Sequence, residues 1–98
     1  MAAKVIWSPR AENSFNNILE YLERHWTQKE INAFIARTEE VISYIQENPQ
    51  YYPYSQESDT YRCVMREQVS LYYRIKNDYV ELMLFWDNRR NPYKLKLK

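Results

Sequence analysis

The sequence predicts one α+β domain with the element order β-α-α-β-β-β, in which a helical hairpin packs on one face of a small, mainly antiparallel sheet. Two runs with apolar residues at helical spacing span residues 9–25 and 27–48. Segments in which apolar and polar residues alternate with period two follow from about residue 61. The 98 residues, 45% hydrophobic and 28% charged, are typical of a single globular domain over residues 1–98.

The first strand and first helix are predicted at the beginning of the chain. Lys4–Trp7 reads KVIW, which is short, apolar and β-branched. Ser8 suits a helix N-cap, and Pro9 suits the first helical position. The helix therefore runs from about Pro9 to His25, with one apolar stripe composed of Ala11, Phe15, Ile18, Leu19, Leu22 and Trp26.

The second helix is predicted to begin after Thr27, which forms a capping-box pattern with Glu30. Asn48-Pro49 ends it. The link between the helices is two or three residues long, so they pack as an antiparallel hairpin. Residues 49–60 contain two prolines and are predicted to be a loop that contacts the body through Tyr51, Tyr52 and Tyr54.

The last two strands are predicted to form a hairpin around a two-residue turn at Asn77-Asp78. On the core face this register pairs Ile75 with Val80, Tyr73 with Leu82, Leu71 with Leu84 and Val69 with Trp86. On the opposite, open face it pairs Lys76 with Tyr79, Arg74 with Glu81, Tyr72 with Met83 and Ser70 with Phe85. A preceding strand at about 61–65 places Tyr61, Cys63 and Met65 in the core, and Arg62, Val64 and Arg66 on the open face. The position of the first strand in the sheet cannot be derived from the sequence.

Several classes of site are excluded by composition. The chain has no glycine, so it has neither a glycine-rich phosphate loop nor a dinucleotide fingerprint. One cysteine and one histidine do not make a four-ligand zinc site, and Cys63 is expected to be a buried small apolar residue. We therefore expect no metal and no cofactor. With no secretory signal and no apolar run of about 18 residues, a cytoplasmic protein without a membrane partner is expected.

Charge is unevenly distributed although the net charge is only +1. Residues 88–98 carry five basic side chains and no acidic one, whereas residues 39–59 carry five acidic side chains and no basic one. The basic end is either a steering element for an acidic partner or a solvated terminus.

Three stretches together resemble the RelE/ParE superfamily of bacterial toxins from type II toxin–antitoxin systems. They are VIWSPRAENSFNNILEYL, IQENPQYYP and YRCVMREQVSLYYRIKNDYVELMLFWDNRRNP, which cover nearly the whole chain. The Ser-Pro-x-Ala and Arg-Arg-x-Pro patterns favour the ParE-like, plasmid-stabilisation branch. The resemblance implies a cognate antitoxin and one of two activities: inhibition of DNA gyrase without cleavage, or cleavage of messenger RNA on the ribosome.

The residues favour the gyrase-inhibiting branch. Nucleases of this superfamily place a phosphate-binding arginine at the position occupied here by Ser70. If the chain is nevertheless a metal-independent endoribonuclease, the residues implied are Arg62, Arg90 and Tyr93. A third alternative is an inert interaction module that retains the fold, and the sequence also leaves a homodimer open.

The open face and the arginine-rich end are the predicted contact surface for target or antitoxin. The open face is rich in apolar side chains that no predicted helix covers. Alternatively, the tail YKLKLK folds back over this face, and Arg89 and Arg90 form salt bridges with helix two. The expected binding residues are Arg62, Arg66, Tyr72, Arg74, Phe85, Arg89 and Arg90.

Overall fold

The computed structural model describes residues 3–66, 69–89, 95 and 97, and of Arg66 the backbone alone. It contains two helices packed on a five-stranded mixed sheet, which confirms the predicted α+β class. Along the sheet the strands are ordered β1-β5-β4-β3-β2. The elements are β1 (Lys4–Trp7), α1 (Pro9–His25), α2 (Gln28–Glu47), β2 (Tyr54–Ser55), β3 (Thr60–Arg66), β4 (Val69–Lys76) and β5 (Tyr79–Asp87).

Both helices begin where their capping residues predict. The Ser8 hydroxyl accepts a hydrogen bond from the Ala11 amide at 3.0 Å, and Pro9 opens α1. Thr27 and Glu30 form the complete capping box at the start of α2. These contacts satisfy amides that otherwise lack a partner in the first helical turn, and they explain why both boundaries could be predicted.

The first strand pairs with β5 in parallel, with Val5 opposite Val80. Side chains of α1 reinforce this junction, since the Ser8 hydroxyl donates to the Met83 carbonyl at 3.1 Å. The Ser14 hydroxyl accepts a hydrogen bond from the Phe85 amide at 3.0 Å. A parallel pair requires a long crossover connection, which the helical hairpin and the intervening strands provide.

The β4–β5 register contains a bulge that the alternation pattern did not reveal. Tyr73 lies opposite Leu82, but Tyr72 lies opposite Leu84, so Met83 is the extra residue. From there to the end of β5 the side chains exchange faces, as a one-residue slip requires. The predicted positions of Phe85 on the open face and Trp86 in the core are therefore wrong, and the two residues are interchanged.

The segment predicted to be a loop at 49–60 contains the short strand β2, which pairs antiparallel with β3. Tyr52 packs against the core as expected, and Tyr51, although 67% exposed, packs its ring against Tyr44 of α2, with ring centroids 5.2 Å apart. The Tyr73 hydroxyl donates to the Pro49 carbonyl at 2.7 Å and ties the beginning of this segment to the sheet. The short strand was not predictable because two residues are too few to show a period.

The main core lies between the helices and the sheet. Its aromatic centre is formed by Phe15, Phe34 and Phe85 with Trp7, and Phe15 and Phe85 have ring centroids 4.9 Å apart. Cys63 is buried and unpaired, as predicted. No helix of the described ranges is both long and apolar enough to cross a membrane.

Candidate binding surface on the open sheet face

The open face carries a second, smaller apolar cluster. Tyr72, Leu84 and Trp86 are largely buried there, and Leu95 and Leu97 from the C-terminal segment pack against them. The alternative in which the tail folds back over the open face is therefore confirmed for these two leucines. Their cover leaves the apolar part of this face far less exposed than the sequence indicated.

Phe85 belongs to the opposite side of the sheet. Its side chain is 2% exposed and stacks on Trp7, with ring centroids 5.3 Å apart. A side chain buried under α1 is not available to a partner, so its predicted place on the binding surface is a further consequence of the missed bulge. Trp86 occupies the open-face position in its stead.

Arg62 is exposed and is held by a buried hydroxyl. Its Nε donates to Ser70 Oγ at 3.1 Å, and Ser70 Oγ donates to Asn88 Oδ1 at 3.0 Å. Ser70 is fully buried. The sequence predicted Ser70 on the open face, at the position of a nuclease arginine, but gave no indication of its bond to Asn88. The pairing of β3 with β4 is the signal that would have suggested this network. Ser70 lies opposite Val64, which is two positions after Arg62 along β3.

Arg74 stabilises the turn between β2 and β3. It lies opposite Glu81 as predicted, but its ion pair is with Asp59, with Nε and Oδ2 3.6 Å apart. It also donates to the backbone carbonyls of Ser58 and Asp59 at 3.1 and 3.0 Å. Asp59 has a φ of 53°, a strained left-handed conformation for a residue with a Cβ. Arg74 thus supports a strained turn, and its ion pair is formed with Asp59 although Glu81 lies opposite it in the sheet.

Arg89 forms a local ion pair at the end of β5. Its Nη2 lies 2.8 Å from Asp87 Oδ2, and its Nε donates to Asp87 Oδ1 at 3.0 Å. The guanidinium also lies 4.9 Å from the centre of the Tyr21 ring on α1. Hydrogen bonding to the Asp87 carboxylate raises the pKa of Arg89. The alternative of a salt bridge with α2 is therefore wrong for Arg89.

The remaining predicted site residues fall outside the described part of the structure. Arg90 and Tyr93 are not described, and of Arg66 only the backbone is. Of the predicted set, the structure brings Arg62, Tyr72 and Arg74 together on one side of the sheet and places Arg89 beside α1.

A pocket of about 280 Å³ opens between β2, β3 and the C-terminal segment. Tyr72, Leu95 and Leu97 supply apolar walls, and Arg62 supplies a cation. Pro53 and Tyr54 close the side nearest β2. Within the described part of the chain, no group of three His, Cys, Asp or Glu side chains is placed to hold a metal ion.

The buried thiol and phenols lie on the helix side, away from this pocket. Burial, together with a hydrogen bond to Cys63, raises the pKa of Tyr52 to about 12. Burial likewise raises the pKa of the Cys63 thiol and of Tyr73. Groups with raised pKa values stay protonated near neutral pH, so Cys63 is a poor nucleophile.

Solved structures of other bacterial proteins share this fold. The chain resembles a protein of the chromosomal ParDE toxin–antitoxin system from P. aeruginosa, with a TM-score of 0.73 and 11% identity over 88% of this chain and 96% of that one. It also resembles a copper-bound mutant toxin from Helicobacter pylori, with a TM-score of 0.63 and 17% identity over 89% and 96% of the two chains.

A third similar structure is a conserved hypothetical protein from Helicobacter pylori, with a TM-score of 0.58 and 14% identity over 90% of this chain and 97% of that one. No curated protein sequence matches. At these identities the structural likeness shows the fold.

A family model described as the ParE toxin of the type II toxin–antitoxin system parDE matches residues 5–92. The chain therefore belongs to the ParE toxin family of type II toxin–antitoxin systems, as its resemblance to the ParE-like branch predicted.

Proposed function

We propose that this toxin arrests growth by binding DNA gyrase, without cleaving nucleic acid, and that a cognate antitoxin neutralises it. The observation that carries the proposal is the state of the arginines. Arg74 and Arg89 are each paired with an aspartate, and a buried serine occupies the position where nucleases of the superfamily have a phosphate-binding arginine. A guanidinium already paired with a carboxylate is a weaker stabiliser of negative charge on a phosphate in a transition state, which argues against cleavage.

RNA cleavage without a metal requires a base for the 2′-hydroxyl, an acid for the leaving group and cations around the phosphate. On the open face, the described residues offer Arg62 as an unpaired cation, with the Tyr72 ring buried beside it. The only histidine, His25, ends α1, where its ring packs 4.3 Å from that of Tyr21. These facts favour inhibition by binding.

The alternative activity is ribosome-dependent cleavage of messenger RNA by Arg62, Arg90 and Tyr93. It is retained because Arg62 is exposed and faces a pocket. Toeprinting on translating ribosomes distinguishes the two: new cuts in the A site would support the nuclease and contradict the gyrase proposal.

The gyrase proposal is tested by supercoiling of relaxed plasmid with purified gyrase and increasing toxin. We expect supercoiling to fall with toxin concentration, and to recover when the product of an adjacent antitoxin gene is added. The double variant Arg89→Ala/Arg90→Ala is expected to inhibit at least about tenfold less, because it removes two guanidiniums from the arginine-rich end that is predicted to contact the target. Arg24→Ala/Arg37→Ala, on the exposed faces of the two helices, removes the same charge and serves as the control.

Undiminished supercoiling at saturating toxin would contradict the proposal. If expression of the wild-type chain leaves bacterial growth unchanged, the inert-module alternative is the correct one. Equal inhibition by the two double variants would show that Arg89 and Arg90 do not contribute to gyrase binding, while gyrase would remain the target.

A further inference from the structure

Arg62 differs from the other arginines of the open face in how its charge is used. Its Nε is engaged by the neutral Ser70 hydroxyl, and its backbone amide donates to the Pro53 carbonyl at 2.9 Å. No ion pair among the described residues involves Arg62. The bond to Ser70 restrains the guanidinium, and the Arg62 side chain lines the pocket, so less conformational freedom is lost when a ligand binds there.

Among the described residues that line the pocket, Arg62 is the one cation, and several of the others are apolar. Tyr72 and Leu97 form one side, and Pro53 and Tyr54 the other. Its volume of about 280 Å³ exceeds that of one aliphatic side chain. A ligand that fits both features carries a single planar anion next to an apolar group.

A peptide carboxylate matches these features better than a nucleic-acid backbone does. A phosphodiester chain carries a charge on every nucleotide and is bound by several cations together. Here the guanidinium of Arg74, on the same face as Arg62, is already paired with Asp59, and Arg89 is paired with Asp87 beside α1. A carboxylate requires only the paired donors of one guanidinium, and its peptide supplies the apolar neighbour.

We propose that this pocket is the binding site for an acidic–apolar segment of the antitoxin. An Asp or Glu carboxylate of that segment binds the terminal nitrogens of Arg62, and the adjacent apolar side chain enters between Tyr72 and Leu97. Ser70 acts as a positioning residue, which directs Arg62 without touching the ligand. The identity of the occupant rests on the proposed function, in which an antitoxin neutralises the toxin.

The test uses the full chain, made by cell-free synthesis and labelled with ¹⁵N. Two blocked peptides are titrated, acetyl-Leu-Glu-Leu-amide and its Gln counterpart, together with a uridine tetranucleotide. The Arg62 Nε–H resonance reports binding at the pocket. We expect the Glu peptide to bind about tenfold more tightly than the Gln peptide, because a charge-assisted bidentate pair is lost with the amide.

Three variants locate the effect. Arg62→Gln is expected to abolish the preference for the Glu peptide, and Arg24→Gln, on α1, to leave it unchanged. Ser70→Ala is expected to reduce the preference several-fold while the fold, followed by circular dichroism, is retained. That result distinguishes positioning from a merely structural role, because a structural role would not change the ratio between the two peptides.

Equal affinity for the Glu and Gln peptides, or an unchanged preference in Arg62→Gln, would overturn the assignment. Tighter binding of the tetranucleotide through Arg62 would overturn it in favour of a nucleic-acid contact. Rescue of growth by the adjacent gene product is measured separately. If growth is rescued but the protein does not discriminate between the peptides, the assignment of this pocket is rejected and the antitoxin is retained. If the protein discriminates between the peptides but growth is not rescued, the pocket is a carboxylate site and the antitoxin is rejected as its occupant.

Discussion

The two faces of the sheet use the same strands for different purposes. On the helix side β4 contributes Leu71 and Tyr73, both fully buried. On the open side it contributes Tyr72, Ser70 and Arg74, which join a small apolar cluster, a polar network and an ion pair. The main core is therefore concentrated on one face, and the surface proposed for recognition lies on the other.

The three arginines described at the sheet differ in whether their charge is already paired with a carboxylate. Arg74 holds a strained turn, and Arg89 is bound to Asp87 at the strand end. Arg62 alone among these three meets a neutral partner and a pocket. Whether an arginine charge is available to a ligand thus depends on whether the guanidinium is already paired with a carboxylate, and exposure alone does not show it.

The largest expected effect is the loss of Phe85 from the helix side. Phe85→Ala removes a ring that contacts Trp7 and Phe15, and we expect the free energy of unfolding to fall by about 3–5 kcal/mol. Val64→Ala, at a position 51% exposed on the open face, should cost less than about 0.5 kcal/mol. Urea denaturation measures both. Similar losses for the two variants would contradict the division between the faces.

An intermediate effect is expected from Tyr73, which donates to the Pro49 carbonyl from the helix side. At neutral pH Tyr73→Phe should cost about 1 kcal/mol through the lost hydrogen bond. Burial raises the pKa of Tyr73 above its ordinary value of 10.0, so the unfolded chain loses this proton first. The stability of the wild type therefore falls as pH rises above about 10, and the fall should be shallower in Tyr73→Phe.

Urea denaturation at pH 7 and at pH 10.5 compares the two proteins. Some alkaline loss is expected to persist in the variant, because burial also raises the pKa of Cys63 and of Tyr52. An identical alkaline loss in the two proteins would show that Tyr73 does not contribute to it.

The smallest expected effect on stability is that of Arg62 on the open face, and Arg74 provides the comparison. Arg74→Gln should destabilise the protein by about 1 kcal/mol and accelerate amide hydrogen exchange in the turn at residues 56–59. Arg62→Gln removes an exposed charge with one neutral partner and should change stability by less than about 0.5 kcal/mol. Faster exchange in the turn of both variants would show that Arg62 also supports it.

The helices and the hairpin turn were predictable because their signals are local. Caps at Ser8 and Thr27 and a turn at Asn77-Asp78 each involve residues a few positions apart. The bulge at Met83 was not predictable, since residues 82–86 read LMLFW and every one of them is apolar. In a run without polar residues, the sequence does not indicate which face of the sheet each side chain occupies, so a one-residue shift in register leaves no signal.

The candidate site was predictable in its residue types but not in its pairings. Arg62 and Tyr72 were expected on the open face and lie there. Asp59 as the partner of Arg74 and Asn88 as the partner of Ser70 depend on contacts 15 and 18 residues apart, formed through the paths of two turns. Contacts between residues so far apart in the sequence depend on the tertiary structure, which neither periodicity nor the distribution of charge predicts.

The parallel pairing of β1 with β5 has a consequence for synthesis. Val5 and Val80 are separated by 75 positions, so the edge of the sheet closes only after almost the entire domain has left the ribosome. The amino-terminal strand and α1 must wait for β5, because both of them pack against it. A nascent chain that stops before residue 79 lacks β5 altogether and cannot complete the sheet, so a truncated translation product of this toxin is expected to be harmless.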